Sequence, residues 1–201
     1  MSAHYLSNSV LETVVKNALS AYDPDYCILE PQPVPIEKII ENTFGLYIDY
    51  VYLTNNGREF GRVVFDDGFT TFYSMDRHRY ELITVEGGTI MIDATLLVNG
   101  QQGRLRFTLA HELAHYLIHK KIFEGSGISA ALMEPEEINV YEYQANILAS
   151  YLLMPGEQIK RCYYEHCTGK KESEIINLMS SIFDVSKTSM RIRLHEKGLI
   201  P

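Results

Sequence analysis

The sequence predicts an α+β fold: helices, then a small antiparallel sheet, then more helices, closing on a helix-turn-helix-like unit. Three observations carry this. Apolar residues recur at helical spacing before residue 45 and again after about residue 102. Between them, from 46 to 98, the pattern changes to short strand-like runs separated by Asp/Gly and Glu/Gly turns. Residues 170–200 then hold two short helical patterns joined at Val185-Ser186.

Taken in order, Ser9-Val-Leu-Glu12 has the spacing of a capping box. It opens a helix with Val10, Val14, Ala18 and Leu19 on one face, ending before Pro24. Pro35 suits the first position of a second helix, with Ile36, Ile39 and Ile40 turned inward and Gly45 beyond its end. Runs 46–53, 61–65, 70–74, 80–85 and 89–93 read as strands. Asp66-Asp67-Gly68 and Glu86-Gly87-Gly88 read as hairpin turns between successive pairs of them. Helices return at 103–120 and 136–153, where Pro155 marks a stop, and EGSGISAALMEP (124–135) between them reads as a flexible, lid-like loop. In the last segment Ile175, Met179 and Ile182 form one apolar face. Ser186 is the N-cap of the helix that follows, Met190 and Leu194 point inward, and Gly198-Leu199 caps the end. The domain boundary is placed between 1–160 and 161–201.

Composition narrows the function classes. The chain has 201 residues, 46% hydrophobic and 22% charged, which is ordinary for a globular protein. No run approaches the ~18–20 apolar residues that span a bilayer, so no membrane partner is expected. MSAHYLSNSV lacks a basic stretch followed by an apolar one, so no signal peptide is expected. Cys27, Cys162 and Cys167 are odd in number and fit no disulfide framework, which points to a reducing cytoplasm. Residues 1–159 carry 10 basic and 21 acidic side chains, whereas 160–201 carry 8 and 5. The acidic bulk argues against a general nucleic-acid binder. Contact of Lys187, Arg191, Arg193 and Lys197 with DNA phosphates is the less favoured reading of the basic tail, against packing or protein contact.

The chemistry concentrates in RFTLAHELAHYLIHKK (106–121). His111 and His115 lie one helical turn apart on the same face, a spacing at which both imidazoles reach one metal ion, usually zinc. Glu112 is rotated ~100° from His111, too far to be an equivalent ligand. It can face the open side of the metal, take a proton from an attacking water and pass it to a leaving amine. His119 continues the four-residue spacing, but eight residues of helix place it ~12 Å along the axis from His111. With zinc–nitrogen bonds of ~2.0–2.1 Å one ion cannot hold both, so His119 is expected to be a helix C-terminal residue or one that supports a ligand, and not a ligand itself. A third ligand must come from elsewhere. In the next helix Ala145, Leu148, Ala149 and Leu152 form the apolar face, and Glu142 lies one turn before Ala145. Spacing alone leaves Glu142 balanced between a ligand and a solvated acid beside Glu136 and Glu137. Asn146 is placed to accept a hydrogen bond from a ligand histidine's second nitrogen. Cys162, His166 and Cys167 lack a fourth ligand nearby and read as ordinary residues.

RLRFTLAHELAHYLIH (104–119), EYQANILASYLLMP (142–155), more loosely PVPIEKIIENTFGLYIDY (33–50), and the IMID strand at 90–93 together resemble the ImmA/IrrE family of zinc metallo-endopeptidases. The resemblance implies a zincin-like fold over 1–160 and a Zn2+ cofactor held by His111, His115 and Glu142, with Glu112 as general base. Gln144 and Asn146 match the family's E-x-[EQ]-A-N pattern, and Leu148 replaces an aromatic often found there. Ile90, Met91 and Ile92 are expected to offer an edge on which an extended substrate pairs. Tyr141, Tyr143, His78 and Tyr80 stand as alternatives for a second oxyanion donor. The implied substrate is a protein, a helix-turn-helix transcriptional repressor, cleaved in the cytoplasm. The alternative is a non-hydrolytic zinc regulator whose C-terminal segment binds DNA or the repressor. A general peptide hydrolase such as an aminopeptidase is weaker, because no terminus-binding motif is present.

Overall fold

A computed structural model describes residues 5–98, 101–124 and 135–201. All but the ends of the loop expected at 124–135 lies outside them. Helix α1 (Asn8–Tyr22) buries Leu11, Val15, Ala18 and Leu19. Its cap is Ser7, whose Oγ accepts from the Val10 amide, and not Ser9. Either serine has the chemistry to cap. Starting the helix at Asn8 leaves Ser9 in the first turn, where its carbonyl accepts from the Thr13 hydroxyl. Val10, expected on the inner face, is exposed.

The chain divides into two compact units. The first comprises Tyr5 and Ile36–Asn146. It opens with a short helix, α2 (Ile36–Lys38), which widens into a π-helical turn over Ile39–Thr43 and ends before Gly45 at φ +63°. Five strands follow: β1 (Tyr47–Val51), β2 (Gly61–Val64), β3 (Gly68–Ser74), β4 (Arg79–Val85) and β5 (Thr89–Asp93). Their pairing differs from the two successive hairpins read from the turns. β3 and β4 pair with each other, from Gly68↔Val85 to Ser74↔Arg79, around a turn where His78 adopts φ +50°. The other three form a mixed sheet in the order β1-β5-β2. β5 runs parallel to β1 and antiparallel to β2. Asp66-Asp67-Gly68 therefore passes the chain from one sheet to the other. The Asp67 carboxylate accepts from the Gly87 amide there, tying the two glycine turns together.

The expectation that Ile90, Met91 and Ile92 form an exposed edge is overturned by this topology. β5 is the central strand, bonded on both sides, and all five of its residues are buried. Its backbone has no free edge to offer a substrate, and the open edge of the sheet on the other side of β5 from β1 belongs to β2. Asp93 ends β5 and fixes the chain on both sides. One carboxylate oxygen accepts from the Leu53 amide at 2.8 Å, the other from Thr95 in the 3-10 turn Ala94–Leu97. Helix α3 (Gln102–Phe123) then buries Leu105, Leu109, Leu113, Ala110 and Ala114. Helix α4 (Pro135–Leu153) follows, its residues up to Asn146 counted in this first unit.

The second unit comprises Leu6–Pro35 and Ile147–Pro201. It holds α1, the remainder of α4, and helices α5 (Gly156–His166), α6 (Glu172–Phe183) and α7 (Lys187–Glu196). Met154, Ile159, Cys162, Cys167, Ile175, Met179, Phe183, Met190 and Leu194 form its core. α6 ends on Asp184 in the left-handed region at φ +51°. Ser186 then caps α7 by accepting from the Ser189 amide. This is the helix-turn-helix-like arrangement expected for the segment. Arg193, one of the four cations named in the less favoured phosphate-contact reading, is fully buried, as the packing reading expects. It donates to Glu12 at 2.7 Å, Glu196 at 3.0 Å and the Met154 carbonyl at 3.1 Å, and its guanidinium lies over the Tyr151 ring. Lys197 donates to the same Glu12 carboxylate, and Arg191 lies 3.5 Å from Glu172.

Candidate metal centre

The i, i+4 spacing on α3 turns the His111 and His115 rings toward one point, with their Nε2 atoms 3.0 Å apart. Glu142, from α4, completes the cluster. One of its carboxylate oxygens lies 3.2 Å from His111 Nε2 and the other 3.4 Å from His115 Nε2. A tetrahedral ion with bonds of ~2.0–2.1 Å spaces its ligand atoms about 3.3 Å apart. The two ring nitrogens are close to that spacing and each has a Glu142 oxygen at a similar distance, and two imidazoles with one carboxylate are a donor set suited to zinc. Among the described residues this is the group of His, Cys, Asp and Glu side chains able to hold a metal ion.

The electrostatics fit such a cradle. Hydrogen bonds from His111 and then His115 hold the Glu142 carboxyl well below the usual range, so it is anionic at neutral pH. Burial works to lower the His111 pKa, but the hydrogen bond to Glu142 and the charge of Glu112 outweigh it and raise it. Asn146 reaches the same ring and also favours its charged form. The buried Nδ1 of His111 nevertheless has no partner in hydrogen-bonding geometry, so the amide lies near the ring without being aligned on that nitrogen.

Glu112 stands apart from the three. It is buried, and burial pushes its carboxyl above the ordinary range against the pull of His115, His111 and the Val63 amide. A raised pKa makes the carboxylate a better proton acceptor near neutral pH. It packs against β2, where Gly61 leaves it room. A Cβ at 61 would meet Glu112 Oε1 at 2.5 Å and Thr108 Cγ2 at 2.6 Å. Neither Gly61 nor Val63 stands out in the sequence as part of the site. The one available signal was a glycine opening a β-branched run, which marks a close approach of the backbone to something else.

A cavity of about 1090 Å³ opens over these residues. His111, Glu112, His115, Glu142 and Asn146 line it with Gly61, Arg62 and Val63 of β2, and Phe60, Phe65, Phe107 and Phe123 add apolar surface. Of the alternative oxyanion donors, Tyr141 lines this cavity. Tyr143 is exposed, His78 sits in the β3–β4 turn, and the Tyr80 hydroxyl donates to Asn55. His119 is buried beneath the site. Its Nδ1 lies 3.0 Å from His115 Nδ1 and its Nε2 3.4 Å from Gln144 Oε1. Burial, with the His115 charge, lowers its pKa to about 4, so the ring is neutral at physiological pH. Cys162 and Cys167 are buried in the second unit's core.

Fold and site together define a metallopeptidase-type domain. The chain belongs to the peptidase M78 family, described as the IrrE N-terminal-like domain, whose model matches residues 69–195. The looser likeness at 33–50 lies before that range. No curated protein matches the sequence. Among solved structures the chain is similar to a Mycobacterium tuberculosis transcriptional regulator, with a TM-score of 0.53 and 13% identity over 94% of this chain and 47% of that one. That likeness concerns the fold alone, and the chain spans about half the length of that protein. Among the described residues no helix is long and apolar enough to cross a membrane.

Proposed function

We propose that this protein is a zinc-dependent endopeptidase acting on a helix-turn-helix transcriptional repressor in the cytoplasm. The observation that carries the reading is two imidazole nitrogens 3.0 Å apart, each within 3.4 Å of one oxygen of the Glu142 carboxylate, with a fourth group, Glu112, buried beside them and not among them. A purely structural metal site has no use for that carboxylate. His111, His115 and Glu142 would hold the ion, which when bound supplies Lewis acidity to the scissile carbonyl and to water. Glu112 takes a proton from the attacking water and returns it to the departing nitrogen. Gly61 and the Val63 amide hold that carboxylate in place. The edge strand β2 borders the cavity, so an extended peptide can pair beside it while its scissile bond reaches Glu112. Asn146 and Tyr141 face the same space.

The test is incubation of the zinc-loaded protein with a purified helix-turn-helix repressor from the same genome, alongside Glu112→Gln. Cleavage by wild type and an intact repressor with the variant, both retaining zinc, is the expected result. If wild type and variant leave the repressor equally intact while zinc is bound, the hydrolytic reading gives way to a non-hydrolytic regulator.

A further inference from the structure

A metal-ligating imidazole must present a lone pair, so its proton has to sit on the other ring nitrogen, and something must hold it there. His115 turns Nε2 toward His111 and Glu142, which leaves Nδ1 to carry the proton. That Nδ1 faces His119 Nδ1 at 3.0 Å. Two ring nitrogens facing each other share one proton, so either histidine can be the donor, and the pair alone does not decide. The next contact does. His119 Nε2 lies 3.4 Å from Gln144 Oε1, an amide oxygen that only accepts. His119 must therefore carry its proton on Nε2, which makes its Nδ1 an acceptor and forces the proton of the facing pair onto His115.

We propose that His119 and Gln144 are positioning residues: a buried chain from Gln144 Oε1 through His119 to His115 Nδ1 that fixes the His115 tautomer and keeps its Nε2 lone pair directed at the metal. The proposal rests on the metal-centre reading but not on hydrolysis. The chain is shielded from water, since His119 and Gln144 are each 1% exposed. The His119 ring is clamped against Tyr141, with centroids 4.8 Å apart, and against Phe123. It also links the two helices that carry the ligands. His119 follows His115 by one turn on α3, and Gln144 follows Glu142 by two residues on α4. A side chain that does not reach the ion thus joins the frames of the residues that do. The opposite arrangement, with His119 donating from Nδ1, would set its bare Nε2 against the Gln144 oxygen and put a proton on the ligand nitrogen of His115.

The test uses the full-length chain with histidine nitrogens labelled with 15N, and reads ring tautomers by long-range nitrogen–proton correlation with one equivalent of zinc bound. Wild type is expected to show His119 as the Nε2–H form and His115 as the Nδ1–H form. Gln144→Met is expected to weaken zinc affinity ~10–100-fold in competition with a chromophoric chelator, the range for loss of a partner behind a ligand histidine. Gln144→Glu keeps an acceptor oxygen and is expected to restore most of that loss. A wild-type His119 protonated on Nδ1, or a Gln144→Met variant with wild-type zinc affinity, overturns the proposal. Where a variant does not fold, the wild-type tautomer decides by itself. A wild type that takes up no zinc overturns the metal-centre reading and this proposal together. Correct tautomers and affinities with an uncut repressor leave the proposal standing and count against hydrolysis alone.

Discussion

Gly61→Ala is the sharpest available probe of how Glu112 is held. The added methyl would lie 2.5 Å from Glu112 Oε1, 2.6 Å from Thr108 Cγ2 and 2.8 Å from Glu112 Cγ. Comfortable contacts between heavy atoms start at about 3.5 Å, so each neighbour must give way by nearly 1 Å. Neither side moves easily. β2 is bonded along its length to β5 through Gly61↔Ile92 to Val64↔Thr89, and Thr108 and Glu112 are buried on α3. Overpacking of this kind costs about 1–3 kcal/mol. For a chain of this length that lowers the melting temperature by about 2–4 °C per kcal/mol. The effect on turnover is larger, because ~1 Å of misplacement of a reacting group costs about 100-fold. The three atoms nearest the new methyl belong to Glu112 and Thr108 and not to His111, His115 or Glu142, so zinc affinity should hold. The assay pairs a zinc competition titration and a thermal melt with the rate of repressor cleavage. Thr108→Ser added to Gly61→Ala removes one overlap but not those with Glu112, so it should recover stability without recovering rate. An alanine variant that melts and cleaves like wild type would refute the placement of Glu112 against β2.

Three further outcomes follow from other parts of the molecule. Glu142→Gln exchanges an anionic ligand for a neutral amide. It should weaken zinc binding by more than the ~10–100-fold typical of changes behind a ligand, with chelator competition as the readout. Glu12→Gln should lower the urea unfolding midpoint by an amount equivalent to about 2–4 kcal/mol, because Arg193, 0% exposed, loses an anionic partner. That difference depends on pH. Burial raises the Glu12 pKa, but Lys197 and Arg193 outweigh it and hold it below its ordinary 4.5. The stabilisation is therefore complete above about 4.5 and vanishes as pH falls through the lower folded value, so wild type and variant should converge in acid. Burial pushes the Cys162 thiol up to about 12, and Cys167 is raised likewise. Burial raises Cys27 too, but it is only partly buried. A thiol reagent at pH 8 should therefore titrate Cys27 in the native protein and all three thiols only in denaturant, and fast native reaction of Cys162 would contradict its burial.

Much of this architecture is legible in the residues themselves. The α3 pattern carries its own chemistry because His111 and His115 are spaced by the helical period, and the same geometry sets His119 aside. Glu142 is different. Nothing local separates it from a solvated acid, and its side chain remains half exposed; it acquires meaning only when α4 brings it within reach of two imidazoles. The strands show the same limit. Their positions follow from alternation and turn residues, but their partners depend on contacts distant in sequence. The continuous apolar run Ile90-Met91-Ile92 was the local sign of a central strand, since a strand buried on both faces does not alternate. Gly-containing turns are compatible with a hairpin or with a passage between sheets, and both of these turns turned out to be passages. That the basic tail packs is the favoured reading of its charge balance. Which cation turns inward is not legible, because an arginine on a short polar helix is ordinarily solvated. The carboxylate partner of Arg193, Glu12, is 181 residues away.

The burial of Arg193 has a consequence in counterions. Each phosphate neutralised by a protein cation adds about −0.9 to the slope of log affinity against log salt on duplex DNA. Of the four cations that a DNA-reading tail would call on, Arg193 is enclosed and Lys197 is bonded to Glu12. Lys187 and Arg191 remain at the surface, and Arg191 sits 3.5 Å from Glu172. Those four would therefore displace about two ions from the nucleic-acid atmosphere instead of four, halving the slope to about −1.8. Any grip of this segment on DNA would fade only gently as salt rises, as expected of a helix pair whose charge is turned inward to hold its own unit together.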